Sequence, residues 1–125
     1  MKVKAELDKN VLKQINTDKK NFEKGVLVGV RNAMLFVERE SKSSFGKPGN
    51  LKVKSGRLRS SIYSKVQEAR DKIIGSVGSN VIYAPVHEFG NFKTPARPFI
   101  EPAFSNNIER INELIVSSID KEVKL

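Results

Sequence analysis

At 125 residues the chain has one domain's length, enough for one modest core. Its 30% charged and 38% hydrophobic residues predict a folded chain, and its net charge of +9 biases it toward polyanions: nucleic acid, an anionic membrane or an acidic protein face. Cysteine is absent, which excludes a disulfide framework, a thiol nucleophile and any cysteine zinc site.

The opening MKVKAELDKNVLKQ holds no apolar run and does not read as a signal peptide. The longest apolar stretch, near Val26–Val30, is interrupted by Gly29 and falls far short of the ~20 residues of a membrane span. A soluble chain with no export signal and no membrane partner is expected. Residues 11–44 read as one long amphipathic helix. Leu12, Ile15, Phe22, Val26, Val30, Ala33 or Met34, Val37 and Ser41 recur at steps of three or four, with one gap near Lys19. Asp8 or Asn10 would cap its start. Gly25 and Gly29 sit four apart within it, and each costs about 1 kcal/mol against alanine in a helix interior. Local weakness or close packing accounts for them better than a functional contact.

The helix should stop near Phe45–Gly46, where Gly46, Pro48 and Gly49 follow. Residues 46–56, GKPGNLKVKSG, then form an exposed basic loop. In SGRLRSSI, Ser55 would cap a short helical turn with Leu58, Ser61 and Ile62 facing inward. IYSKVQE at 62–68 and KIIGSVG at 72–78 alternate loosely around a polar ARD, which predicts a β-hairpin over 62–78. Val81–Tyr83 either extends a strand or starts a turn. Pro85 permits a short helical turn through Glu88, closed by Gly90. Phe104, Ile108, Ile111, Leu114, Ile115 and Ile119 then trace a second amphipathic helix, with Pro102 in its first turn and Glu101 at its positive end. There is no internal repeat. The expected architecture is a single α+β domain over 1–125, with a long N-terminal helix and a C-terminal helix packed on a small antiparallel sheet.

The residue inventory contains little chemistry. The single histidine, His87, cannot build an HExxH site or a histidine cluster. Its neighbour Glu88 is adjacent in sequence only. GSVGS at 75–79 resembles a glycine-rich phosphate loop superficially; hairpin and turn glycines explain it better. No GxxxxGK[ST], GxGxxG or GxSxG pattern occurs. No catalytic, metal or cofactor residues are assigned, and the expectation is a protein without enzyme activity. Charge is more informative. Between Glu40 and Glu68 no acid occurs, while Lys42, Lys47, Lys52, Lys54, Arg57, Arg59 and Lys65 all do. Lys47, Lys52, Lys54, Arg57 and Arg59 are therefore the candidate contacts to a partner or to DNA. Phosphate contacts from such a loop would carry no sequence specificity. The window's aromatics, Phe45 and Tyr63, are not interleaved with the bases, which disfavours a stacking single-strand binder.

Three stretches in order carry a family resemblance: SGRLRSSI at 55–62, IIGSVGSNVIYAPVHEFG at 73–90 and TPARPFIEPAF at 94–104. Together they resemble the tail-component family of tailed bacteriophages and prophages, small neck proteins also called tail completion or head–tail joining proteins. The matching residues are Ser55–Leu58, Tyr83–Ala84, Glu88–Gly90, Ala96–Phe99 and Pro102–Ala103. Val86, Asn91 and Glu101 depart from the usual pattern. The resemblance implies an α+β fold and a structural role late in virion assembly. It further implies a homo-oligomeric ring at the head–tail junction, in contact with other neck and tail proteins and formed from a subunit that can be monomeric in solution. The implied location is the virion, after synthesis in the bacterial host cytoplasm.

Pro95 and Pro98 bias Thr94 and Arg97 toward extended backbone, so residues 94–100 form a stiff arm. Phe99 and Ile100 should anchor it, and Arg97 is expected to pair with Glu88. Two roles are open for Glu88, Arg97, Phe99 and Ile100: an internal strap, or an arm offered to a neighbouring subunit.

Overall fold

The computed structural model describes residues 1–8, 19–51 and 56–123. The first helix, α1, runs Lys19–Ser43, and its buried face is Phe22, Gly25, Val26, Gly29, Val30, Ala33, Met34, Val37 and Ser41. This is the helical stripe the spacing predicts. Leu12, Ile15 and Asn10 lie outside the described residues. Asp8 is the last residue of a strand, and the residues between it and Lys19 lie outside the described residues.

That strand, β1 (Lys2–Asp8), is absent from the sequence-based expectation. It joins the expected hairpin, β2 (Tyr63–Glu68) and β3 (Lys72–Gly78), to give a sheet of order β1-β3-β2. Both neighbours of β3 run antiparallel to it, with Lys2 and Tyr63 both opposite Gly78. The backbone bond from Ala69 N–H to the Lys72 carbonyl, 2.8 Å, closes the hairpin turn. The signal for β1 is the alternation of Val3, Ala5 and Leu7 with charged residues.

Helix α1 crosses the sheet at Gly75. A Cβ built there would lie 2.6 Å from Met34 Cγ and 2.7 Å from Val30 Cγ1. Gly75 is therefore a hairpin-strand glycine in contact with α1. Ile73 and Val77, two residues either side, are fully buried on the same face.

The C-terminal helix is also corrected. It divides into α4 (Glu101–Ser105) and α5 (Ile108–Val123). Asn107 sits at the break. Its side-chain Nδ2 donates to the Ala103 carbonyl at 3.0 Å, the acceptor its own backbone N–H would use in a continuous helix. That N–H instead reaches the Phe104 carbonyl, 3.1 Å, one residue short. Ile108 consequently turns outward and is 58% exposed. Beyond the break α5 lies against α1 at backbone distance. Cβ atoms built at Gly25 and Gly29 would fall 2.7 and 2.8 Å from the Cα atoms of Ile119 and Ile115. Close packing is thus the reason for both helical glycines.

Two short helices complete the fold, α2 (Arg57–Ser61) and α3 (Ala84–Phe89). Val81–Tyr83 starts a turn, with Ala84 N–H bonded to the Val81 carbonyl at 3.1 Å. The described core is one cluster shared by α1, the sheet, α3, α4 and α5.

Candidate docking surface

The proline-rich stretch is a strap with a buried end. Residues 95–98 are exposed, while Phe99 and Ile100 are buried almost completely. Each such side chain contributes about 1.5–3 kcal/mol by leaving water. The Phe99 ring meets the Phe45 ring edge-on, with centroids 5.6 Å apart. The Phe99 carbonyl accepts a 2.6 Å bond from Ser41 Oγ on α1.

Glu88 holds the strap through its backbone. One carboxylate oxygen accepts the N–H groups of Phe99 and Ile100, both at 3.0 Å. The other accepts the Glu101 N–H at 2.9 Å. The first amides of a helix have no partner inside it, and α4 has no side-chain cap of its own. Pro102 contributes no N–H, and the Ala103 N–H reaches the Ile100 carbonyl at 3.0 Å. Glu88 is thus the missing cap, supplied from α3, and its negative charge suits the positive helix end. The expected Arg97–Glu88 pair is corrected. Arg97 is exposed and contributes its backbone N–H, which donates to the His87 carbonyl at 2.8 Å. Both oxygens of the buried Glu88 accept backbone amides. His87 is half-buried and meets the Tyr83 ring edge-on.

Gly90 makes the close approach possible. Its φ of 74° and ψ of 176° lie in a region only glycine occupies readily. A Cβ there would come within 2.8 Å of Ala96 N. The three motif stretches are therefore fastened to one another and to the end of α1. Arg59 of SGRLRSSI donates from Nε to the Lys42 carbonyl at 3.0 Å, and Ser61 Oγ and Ser79 Oγ share a 2.6 Å bond. Ser79 Oγ also accepts the Val81 N–H.

The basic candidates fare differently from the strap. Arg59 is committed to the α1 terminus, where a cation is favourable. Lys47 is exposed on a turn closed by Gly46 N–H to the Leu51 carbonyl, 2.6 Å. Arg57 is exposed on α2, and Lys52, Lys54 and Ser55 lie outside the described residues. Among the described residues no group of three histidine, cysteine or acidic side chains is placed to hold a metal ion. No described helix is long and apolar enough to cross a membrane.

A feature the sequence reasoning missed adjoins the strap. Ile82, Tyr83, Phe89 and Phe92 are four of the seven exposed large hydrophobic residues among those described. Phe92 is 93% exposed and Ile82 91%. The loop that follows α3 is braced: Asn91 Oδ1 accepts the N–H groups of Lys93 and Thr94, at 2.9 and 2.7 Å. Asn91 N–H returns to the Thr94 carbonyl at 2.9 Å. Lys93 Nζ lies 5.5 Å from the Phe92 ring centroid.

No protein-family profile matches the chain, and no solved structure matches it. An uncharacterised protein of the archaeon Methanocaldococcus jannaschii is 35% identical over 71 residues. The match covers 55% of this chain and 50% of that protein, so the chain spans half the length of the curated relative it matches.

Proposed function

We propose that this chain is a structural virion subunit of a tailed phage or prophage. It acts in tail completion and head–tail joining by oligomeric docking at the neck, alongside other neck and tail proteins, and performs no chemical step. One observation carries this reading. The stretches that resemble the neck family are a single mechanical unit, with Glu88 gripping residues 99–101 and Gly90 letting the strap pass. That unit presents a stiff, exposed edge, and preorganised surfaces lose little entropy on binding. The α+β architecture agrees with the one the resemblance implies.

The test is electron microscopy of lysates from the parent phage or induced prophage with the gene deleted. DNA-filled heads beside separate or malformed tails are the expected result. Normal, infectious particles would overturn the reading. A second reading rests on the acid-free window 42–65 and the net charge of +9: non-specific nucleic-acid binding through Lys47, Lys52, Lys54 and Arg57. It requires duplex binding that weakens steeply with salt.

A further inference from the structure

We propose that the aromatic edge of residues 82–97 docks on the outward face of α5 of a second copy of this chain, head to tail. The inference rests on the reading of the chain as an assembly subunit, and not on that assembly's place in a virion.

The edge is apolar and positive. Phe89 and Phe92 are exposed on it, Lys93 lies over the Phe92 ring, and Lys93 and Arg97 are both exposed in the same segment. The sole acid of this segment, Glu88, is buried and bonded inward. Every acidic or strongly basic side chain the edge turns to solvent is therefore a base.

The complementary face lies on the same chain. Ile111 and Ser118 mark the buried side of α5, and at 100° per residue Glu109, Glu113, Val116 and Asp120 fall on the opposite side. Val116 is 54% exposed in the middle of those three acids. Across Ile108–Val123 there are four acids and two bases, in a chain whose overall charge is +9. Glu113 also meets Arg110 at 3.2 Å, an exposed pair of the kind that contributes little and exchanges readily. Lys121 stands at the margin of the face.

Copies carrying +9 repel one another at long range, so contact between them needs local charge of opposite sign. The α5 face supplies it, with an apolar centre against which a phenylalanine can pack. The two surfaces are different patches, so the contact is heterologous and repeats from copy to copy, closing into a ring or extending as a chain.

The absence of cysteine makes the test direct. Phe92→Cys and Val116→Cys proteins are purified separately, mixed at high concentration and oxidised. A mixed 92–116 disulfide dimer in about tenfold excess over the 92–92 and 116–116 products is expected. Adding Lys93→Glu and Arg97→Glu to the first protein should remove that excess, and adding Glu113→Lys and Asp120→Lys to the second should restore it. All six positions are exposed, and circular dichroism is the check that each variant folds.

A mixed product no more abundant than random pairing gives, no mixed product, or a mixed product indifferent to charge reversal would each overturn the proposal. So would a Phe92→Cys protein that crosslinks in particles to an acidic protein other than itself. The two readings fail separately. Defective particles without the 92–116 product remove this interface and keep the neck assignment; normal particles with that product do the reverse.

Discussion

Replacing Glu88 by alanine should be among the most damaging single substitutions in this protein, although it removes a charged side chain and not an apolar one. The carboxylate accepts three backbone N–H groups, and those of Phe99 and Ile100 are buried. Hydrogen bonds to charged groups contribute about 1.5–3 kcal/mol each, and a buried donor left unpaired incurs the full desolvation cost. The three bonds share one carboxylate and do not add independently, so about 3–5 kcal/mol in total is the expected loss. A chain of this length has roughly 6–19 kcal/mol of stability, at about 0.05–0.15 kcal/mol per residue. The assay is urea unfolding followed by circular dichroism. With a slope of about 2 kcal/mol per molar urea, the midpoint should fall by about 2 M at unchanged slope. Glu88→Gln keeps one acceptor oxygen but sets an NH2 against an amide donor, so its loss should fall between wild type and Glu88→Ala. Arg97→Ala, at an exposed side chain, should stay within about 0.5 kcal/mol. A Glu88→Ala loss below about 1 kcal/mol, or an Arg97→Ala loss as large, would refute the capping account and revive the side-chain pair.

Gly90→Ala should destabilise by about 2 kcal/mol or more, from its backbone region and the approach of Ala96 N; a thermal melt matching wild type would contradict this. Gly29→Ala sets a helix-propensity gain of about 1 kcal/mol against a Cβ 2.8 Å from the Ile115 Cα. Backbone cannot retreat locally, so overpacking should win and chemical denaturation should show a net loss of about 1 kcal/mol or more. Among the described residues the buried Ser76 Oγ has no hydrogen-bond partner, so Ser76→Ala should be neutral or stabilise by about 1 kcal/mol; a clear loss would mean that the hydroxyl is satisfied. Ser41→Ala leaves the buried Phe99 carbonyl without its 2.6 Å donor, and should lower stability by about 1–2 kcal/mol in the same urea assay.

What the sequence disclosed follows from where each signal is carried. Helix α1 and the 62–78 hairpin are legible because their apolar residues recur within a few positions of one another. Strand β1 alternates equally well at Val3, Ala5 and Leu7, but its partner β3 lies about seventy residues away, and charged neighbours make such a stretch read as a solvated tail. The break between α4 and α5 is hidden for the opposite reason: the apolar spacing runs straight through it, and Asn107, bonding its own helix, sits where the ladder is interrupted. Phe99 and Ile100 were recognisable as anchors by type. The partner of Glu88 was not, because backbone amides belong to every residue and leave no mark in the alphabet. The signal available was indirect: prolines at 98 and 102 leave positions 99–101 as the run still bearing N–H groups. The aromatic edge was illegible for a related reason, since nothing in a phenylalanine says which side of it stays uncovered.

Because Glu88 holds the chain by its peptide groups, the fastening is indifferent to most of what the strap displays. Side chains at 93–97 can be exchanged without disturbing the three bonds beneath them. The outward residues are thus free to vary at little cost to folding. The grip excludes a single substituent at 99–101, and that is proline, which has no N–H to offer.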